Sequence, residues 1–332
     1  MSLFNTNRIC GLLGVKYPFI EGGMAWVGTP RLAAAVSEAG GLGTIGSGAL
    51  TPEDLAESID TTRRQTNKPF AVNVMLLNPS ADRQVEVCLQ KAIPVLIFGA
   101  GNPAKYLPDL KKRGIVTAAV VASETLALYL EERGIDVIIG EGMECGGHVG
   151  TVTTFTLIPA LKDVLFSVPV VAAGGIADER GIKAAFCLGA EGVQIGTRLI
   201  ATVECEAHDR YKQRIITSGI RDTLLTGQAL GHPARVLKSA FAKRVCKLEA
   251  SDPKEAESLI TGSLRKAFED GDEERGLFMA GQSAGLIQSI PSVSELFELW
   301  AQRLDGWNQI AGTETKIAEN LKEGVYERSG NL

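Results

Sequence analysis

Short apolar runs recur along the first two-thirds of the chain, with helix-like segments between them. The runs are apolar throughout and rich in Val, Ile and Ala, which is typical of strands that are covered on both faces. They predict eight strands. The predicted strands are Pro18–Ile20, Leu42–Ile45, Phe70–Leu77, Val95–Phe98, Ile115–Val121, Asp136–Ile139, Val170–Ala173 and Gly192–Ile195.

Helix-start signals follow most of these strands. Thr29-Pro30 and Thr51-Pro52 each place an N-cap threonine before a proline at the first helical position, and Ser123 precedes an acidic first turn. Alternating strands and helices predict right-handed βαβ units around a parallel sheet, and eight units predict a closed (β/α)8 TIM barrel. The predicted helices cover 29–39, a segment from 51, 81–91, segments from 102 and from 123, and 178–188.

An open doubly wound α/β sheet is the alternative architecture. A dinucleotide-type G-x-G-x-x-G directly after the first strand would favour it. The segment Gly22-Gly23-Met24-Ala25-Trp26 occupies that place and does not match the pattern. The barrel is therefore the predicted fold.

The strand–helix rhythm stops after Thr197. Residues 205–275 are charged and helix-like without a clear strand repeat, which predicts a mainly helical insertion over or beside the barrel mouth. The barrel itself would comprise 1–204 and 276–332, and the tail after about 313 is polar and expected to be exposed. Apolar residues at helical spacing predict a last helix that closes the barrel. They are Val293, Leu296, Phe297, Trp300 and Leu304.

Composition and charge exclude several classes of protein. The 332 residues carry a net charge of −5, which argues against a general nucleic-acid binder. No run approaches the roughly 20 apolar residues of a membrane span, and the N-terminus lacks the pattern of a secretory signal. The six cysteines form no C-x-x-C pair, so we expect no zinc site, no disulfide framework and a reduced, cytoplasmic setting.

One segment of this acidic chain is basic. Between residues 205 and 250 there are nine Lys and Arg against four Asp and Glu, a local charge of +5. This pattern is typical of a solvated helical face, and it also suits a docking surface for an acidic partner. Arg210, Lys212 and Arg214 are the candidate contacts for such a partner.

The loop 141–150 concentrates the candidate chemistry. It holds Glu141, Glu144, Cys145, His148 and four glycines, and it follows a predicted buried strand. Glycine lets the backbone approach a ligand closely, and loops that carry titratable groups are commonly functional. The alternative is an ordinary glycine-rich turn with a solvated His148.

Two other strand ends suit a phosphate. In a (β/α)8 barrel the loops after strands 7 and 8 commonly bind phosphate, and here they carry Gly174-Gly175 and Gly196-Thr197. Backbone amides and a hydroxyl can bind a phosphate monoester without a lysine. No G-x-x-x-x-G-K-[ST] occurs, so a P-loop nucleotide is not expected.

Five sequence pieces together resemble the nitronate monooxygenase (2-nitropropane dioxygenase) family of FMN-dependent barrels, over nearly the whole chain to at least Leu286. Within that family the sequence motifs are most similar to those of the type II, FMN-dependent enoyl-[acyl-carrier-protein] reductases of bacteria. The run Met279-Ala280-Gly281-Gln282-Ser283-Ala284-Gly285 belongs to that closer match. The five pieces are Pro18 to Trp26, Val72-Asn73-Val74-Met75, Glu141 to His148, Ala172 to Ala177 and Gln194 to Arg198.

The resemblance implies an FMN cofactor and His148 as the catalytic residue. It implies NADH or NADPH as co-substrate and a homodimer. In some members it also implies a monovalent cation, for which the sequence names no ligands. No metal-ligating residue is predicted. The implied acyl carrier protein is acidic, which suits the basic 205–250 stretch. The implied cofactor-binding residues are Gly23, Met24, Ala25, Asn73, Glu141, Gly174, Gly175, Gln194, Gly196, Thr197, Met279, Gln282 and Ser283.

Three functions stay open at this stage. The first is reduction of a trans-2-enoyl thioester, in which His148 serves as proton donor or oxyanion partner. The second is nitronate monooxygenation, in which the same histidine acts on an acidic α-proton and dioxygen reoxidises the flavin. The third is a flavin-binding barrel without catalysis, against which the intact glycines, His148 and Asn73 argue.

Overall fold

The computed structural model describes Phe4 and residues 6–305, and it contains an eight-stranded parallel sheet with helices around it. Three further short strands form a second, antiparallel sheet. The strands are β1 Phe19–Glu21, β2 Gly43–Gly46, β3 Phe70–Met75, β4 Val95–Gly99, β5 Val116–Val121, β6 Val137–Glu141, β7 Gly147–His148, β8 Val170–Ala173, β9 Gly192–Ile195, β10 Thr223–Thr226 and β11 Ala234–Leu237.

The eight-stranded sheet closes on itself. Its order is β1-β9-β8-β6-β5-β4-β3-β2, with every neighbouring pair parallel. Leu42, directly before β2, completes the ring: its amide donates to the Phe19 carbonyl oxygen, and the Glu21 amide donates to the Leu42 carbonyl oxygen, both at 2.9 Å. The predicted (β/α)8 barrel is confirmed, and the open-sheet alternative is wrong.

Helices fill most of the connections between the strands. The N-cap predictions at Thr29 and Thr51 are confirmed, since each hydroxyl accepts a hydrogen bond from a first-turn amide. Two 3-10 turns lie at Ser47–Ala49 and Gln282–Leu286. The helices are α1 Arg8–Leu13, α2 Pro30–Glu38, α3 Pro52–Gln65, α4 Ala81–Gln90, α5 Leu107–Lys112, α6 Glu124–Glu131, α7 Thr154–Val164, α8 Glu179–Cys187, α9 Thr197–Ile200, α10 Asp209–Ile216, α11 Ala240–Ser251, α12 Pro253–Ile260, α13 Ser263–Glu269 and α14 over 293–305.

Several helices differ from the sequence prediction, α5 and α7 among them. The helix expected from Asn102 begins only at Leu107, because the Asn102 side chain accepts a hydrogen bond from the Ala104 amide and holds a turn there. Helix α7 was not predicted at all. It contains Pro159, a residue that interrupts a helical pattern when read from sequence alone.

The core lies in two layers, inside the barrel and between the barrel and its helices. Ile20, Leu42 and Ile97 belong to the cluster that fills the interior. Outside, α14 packs against β1: the rings of Phe297 and Trp300 lie edge-on to Phe19, with centroids 5.2 and 5.6 Å apart. The five apolar residues predicted for this last helix are all buried.

The segment 205–275 contains helices α10 to α13 and also a β-hairpin that the sequence did not predict. Strands β10 and β11 pair antiparallel, and β11 then pairs with β7, placing Ala234 opposite His148 and Arg235 opposite Gly147. The hairpin thereby joins the insertion to the loop 141–150. The domain division at residues 204 and 276 stays a prediction.

Within the residues that the structure covers, no helix is both long and apolar enough to cross a membrane. The predicted polar tail after residue 313 lies outside the described residues.

Candidate functional site

A cavity of about 330 Å³ opens at the carboxyl ends of the barrel strands. Its size falls within the range of about 300–1,000 Å³ that is common for small-molecule sites. It brings together all but one of the residues predicted to bind or act on a ligand. Those residues are Gly23, Met24, Ala25, Asn73, Glu141, His148, Gly174, Gly175, Gln194, Gly196, Thr197, Met279 and Ser283.

Gln282 is the predicted residue that the structure does not place on the cavity wall. Its side chain is exposed, and its backbone amide donates to the Glu144 carbonyl oxygen (2.9 Å). This hydrogen bond ties the chain after Met279 to the loop 141–150. A cofactor contact by the Gln282 side chain stays a prediction.

Asn73 and Gly23 meet closely on one side of the cavity. A Cβ atom at Gly23 would lie 2.1 Å from the Asn73 side-chain carbon, so only glycine leaves room there. The Asn73 backbone is fixed from behind, since the Ser47 hydroxyl donates to its carbonyl oxygen (2.8 Å). The same hydroxyl lies 2.9 Å from the side-chain oxygen of the fully buried Gln84. The Asn73 carboxamide is thus positioned toward the cavity.

The ends of β8 and β9 form a wall of backbone amides. Gly174 and Gly175 have φ of +92° and +76°, a left-handed conformation that favours glycine. The Thr197 hydroxyl oxygen accepts a hydrogen bond from the Gly281 amide (2.9 Å), which leaves its hydrogen available to a ligand. Among the described residues, the Gly175 and Gly196 amides donate no backbone hydrogen bond. Such a wall suits an anion.

Gln194 on β9 carries an unsatisfied acceptor. Its side-chain oxygen is buried and has no hydrogen-bond partner among the described residues, although Gln194 lies on the cavity wall. A buried carbonyl oxygen without a donor is costly by roughly 1–3 kcal/mol. A ligand hydroxyl at this place would satisfy it.

The insertion holds the loop 141–150, which adjoins the wall of backbone amides because β6 pairs with β8. The buried Arg235 guanidinium donates to the Met143 carbonyl oxygen (2.9 and 3.2 Å) and to the Thr223 hydroxyl (3.0 Å). The Val149 amide donates to the Pro233 carbonyl oxygen (3.0 Å). Together with the β7–β11 pairing, these bonds fix the backbone that carries His148.

Glu144 and Cys145, which had no assigned role from sequence, have structural roles in this loop. The Glu144 carboxylate accepts hydrogen bonds from the Thr154 amide (2.9 Å) and hydroxyl (3.1 Å), which caps the start of α7. The Cys145 thiol donates to the His148 carbonyl oxygen (3.3 Å). Burial raises the pKa of this thiol above its usual range, so it is not a nucleophile at neutral pH.

Two titratable side chains on the cavity wall have shifted pKa values. The Glu141 carboxyl is open only toward the cavity, and burial raises its pKa to about 7, against a smaller lowering by the Cys145 thiol. His148 is partly exposed at the mouth; partial burial and the nearby His232 imidazole lower its pKa. His148 is therefore neutral at pH 7 and can donate or accept a proton.

Sequence reasoning missed the residues that the insertion contributes. The fully buried Tyr211 lines the cavity, and its hydroxyl donates to the Met279 carbonyl oxygen (2.6 Å); Leu264 lines it as well. Both look like ordinary core residues of amphipathic helices. The insertion also reaches Trp26, because the Arg265 guanidinium lies 5.1 Å from the Trp26 ring centre. Trp26 has a φ of +66°, which is rare for a bulky residue.

Comparisons with known proteins agree with the predicted family. The sequence model of nitronate monooxygenase matches residues 6–84 and 79–302. A probable nitronate monooxygenase of Staphylococcus aureus (strain MSSA476) is 32% identical over 338 residues, covering 87% of this chain and 95% of that protein.

Two solved structures are also similar. FabK from Thermotoga maritima is 51% identical with a TM-score of 0.90, covering 92% of this chain and 99% of that one. The nitroalkane oxidase from Streptomyces ansochromogenes is 27% identical with a TM-score of 0.79, covering 89% and 98%. The chain belongs to the nitronate monooxygenase family of FMN-dependent oxidoreductases.

Proposed function

We propose that this protein reduces the double bond of trans-2-enoyl thioesters carried by acyl carrier protein, with FMN as cofactor and NADH or NADPH as hydride source. The observation that carries the proposal is that the sequence identity is higher to a reductase than to the oxidising relatives. Identity is 51% to FabK, an enoyl-[acyl-carrier-protein] reductase of type II, against 32% and 27% to the nitronate- and nitroalkane-oxidising relatives.

The cavity fits FMN chemically. The amides of Gly175 and Gly196 and the Thr197 hydroxyl would bind the phosphate, and the unsatisfied Gln194 oxygen would accept a hydrogen bond from a ribityl hydroxyl. The Asn73 carboxamide would bind the edge of the ring. When bound, FMN supplies hydride transfer between the nicotinamide and the substrate.

The chain supplies position and proton chemistry. Negative charge develops on the thioester oxygen during reduction, and a donor held in place stabilises it. His148 lies on the cavity wall on a backbone fixed by β11, and in its neutral form it carries one N–H that can donate to this oxygen or to the α-carbon. Met279 and Tyr211 close the same wall and exclude water.

Nitronate monooxygenation is the second candidate, favoured by the family model and by the curated relatives. The same geometry suits it, because a neutral imidazole at the mouth can accept an acidic α-proton. The fold and the cavity are common to both reactions and therefore do not separate them.

A steady-state assay of the flavin-loaded protein separates the candidates. We expect oxidation of NADH or NADPH that depends on a trans-2-enoyl thioester, with little oxygen uptake in the presence of a nitronate. Nitronate-dependent oxygen uptake without enoyl reduction would establish the second function. A yellow protein inactive in both assays would favour a binding role.

The structure changes which cations could dock an acidic carrier. Lys212 is buried, and Arg214 pairs with Glu273 (3.3 Å) and lies over the Phe278 ring (5.2 Å), so neither is a free surface charge. Exposed cations of the stretch include Arg210 and Arg221. These exposed groups, rather than Lys212 and Arg214, are the proposed contacts.

Charge reversal tests this docking surface. We expect the double variant Arg210→Glu, Arg221→Glu to raise KM for the carrier-bound substrate several-fold and to leave KM for the coenzyme A thioester unchanged. Reversal of exposed Lys68, which precedes β3 at the other end of the barrel, is the matched control. Equal effects on both thioesters would contradict the docking proposal. The homodimer and the monovalent cation remain parts of the proposal that rest on resemblance, and the cytoplasmic setting remains one that rests on the cysteine pattern.

A further inference from the structure

Arg198 is a buried arginine that makes no ion pair within the part of the chain that the structure describes. It is 5% exposed. One terminal nitrogen donates to the carbonyl oxygens of Ala201 and Ser289, the latter at 2.7 Å, and the Nε atom has no partner. The guanidinium is therefore solvated by two carbonyl groups and is not neutralised.

A buried charge without a counter-charge is expensive for a fold. Removing a guanidinium from water costs several kcal/mol unless an opposite charge or a full set of hydrogen bonds compensates it. Burial lowers the pKa of Arg198 to about 10, which still leaves it charged at neutral pH. The protein therefore keeps a net positive charge in its interior at this place.

The position of Arg198 suggests what balances this charge. Arg198 directly follows Gly196 and Thr197, at the end of β9. Consecutive Cα atoms are about 3.8 Å apart, so the Arg198 Cα lies within about 8 Å of the Gly196 Cα in the amide wall that suits an anion. Among the residues that the structure describes, no lysine or arginine lines the cavity itself, and the carboxyl group on its wall is that of Glu141 at the end of β6.

We propose that Arg198 supplies the positive charge that balances the phosphate of the flavin, from behind the cavity wall and without contacting it. The inference rests on the proposed FMN cofactor. The neutral amides and the Thr197 hydroxyl orient the phosphate, and Arg198 provides the net charge that they lack. Arg198 is thereby a specificity residue, which selects the phosphorylated flavin over riboflavin.

The expected size of the effect follows from Coulomb's law. For a charge separation on the order of 10 Å and an effective dielectric constant near 20, one charge pair changes an affinity by about tenfold, and a phosphate carrying nearly two charges changes it further. Salt screens a buried charge much less than an exposed one. Removal of the charge should therefore weaken FMN binding by roughly ten- to a hundredfold.

The test compares two flavins on the apoprotein of the full chain, with dissociation constants from flavin fluorescence. We expect Arg198→Gln to weaken FMN by roughly ten- to a hundredfold and riboflavin less than about threefold. Arg198→Lys, which keeps the charge, should retain most of the preference for FMN. Arg198→Met is measured beside the Gln variant in case the protein does not fold with a buried amide at this position. The Met side chain fills a similar volume and carries no polar group.

Arg235→Gln is the matched control, since Arg235 is also 5% exposed but serves the loop 141–150. It should change both flavin affinities by the same factor. Equal weakening of FMN and riboflavin by Arg198→Gln or Arg198→Met would overturn the proposal and show a purely structural role, as would an unchanged preference. If the unaltered protein binds both flavins equally, the phosphate site fails; if it binds neither, the proposed function fails with it.

Discussion

The two sides of the cavity are built by different means. The amide wall consists of the ends of β8 and β9, where glycines and a threonine present backbone amides and a hydroxyl. The adjoining side carries His148 and Glu141 on a loop that is fixed by Arg235, 92 residues from its partner Met143. The first side is local to the barrel, whereas the second depends on the insertion.

This difference shows how the molecule can separate holding a cofactor from acting on a substrate. Backbone amides at barrel strand ends remain in place as long as the barrel is folded. The histidine side needs the β7–β11 pairing and the Arg235 hydrogen bonds as well. Changes on the first side should therefore alter flavin binding, and changes on the second should alter turnover.

Loss of the imidazole should give the largest effect. We expect His148→Ala to lower kcat by about 10²- to 10⁴-fold while FMN content stays near that of the unaltered protein, because general acid–base groups contribute factors of this size. His232→Ala is the matched control, since it removes the neighbouring imidazole at the mouth and should change kcat little. Unchanged turnover in His148→Ala would remove its catalytic assignment.

A methyl group on the amide wall should abolish most flavin binding. In Gly174→Ala, the new Cβ would lie 2.7 Å from the Gly142 carbonyl oxygen at a φ of +92°, so the wall must shift. We expect FMN affinity to fall at least about tenfold. Gly114→Ala is the control for backbone strain alone, which costs about 1–2 kcal/mol. Gly114 has a φ of +67°, and no atom lies within 4 Å of the added Cβ. Equal flavin losses in both variants would contradict a specific role for Gly174.

Weakening the anchor of the histidine loop should lower turnover more than flavin binding. We expect Arg235→Lys to reduce kcat by about tenfold, since lysine cannot reproduce the fork of hydrogen bonds to Met143 and Thr223. Arg244, an exposed arginine of the same insertion, provides the control as Arg244→Lys. A loss confined to FMN affinity, with normal kcat at saturating flavin, would place Arg235 on the cofactor side instead.

The smallest effect concerns pH. The pKa of Glu141 is about 7 in the fold against 4.5 for the free group, so between these values the native state binds more protons and stability falls as pH rises. We expect the unaltered apoprotein to lose about 1–2 kcal/mol of stability relative to Glu141→Gln from pH 4.5 to 7.5, after allowance for water in the cavity. Denaturant unfolding at several pH values measures it, and a pH-independent difference would contradict the raised pKa.

The sequence predicted the amide wall at the ends of β8 and β9 better than the surroundings of the histidine loop, for a physical reason. Strand ends with Gly174-Gly175 and Gly196-Thr197 combine a buried run with a glycine turn, and both signals lie within a few residues. Arg235 and Tyr211 give no such signal, because their partners Met143 and Met279 lie far away along the chain. The hairpin β10–β11 was missed because its strands are only four residues long and because β11 stabilises the site by pairing with the two-residue β7.

The sequence by itself determined the eight parallel strands, their order around a barrel, the loops that meet at its mouth and the family. These features follow from local hydrophobic periodicity and from handedness rules that hold for any such chain. Only the tertiary structure decided that Glu144 caps α7, that Glu141 faces an enclosed cavity, and that Arg198 is buried without a carboxylate. Burial and the absence of a counter-charge are properties of the packed molecule, because they depend on every residue that comes near in space rather than on neighbours along the chain.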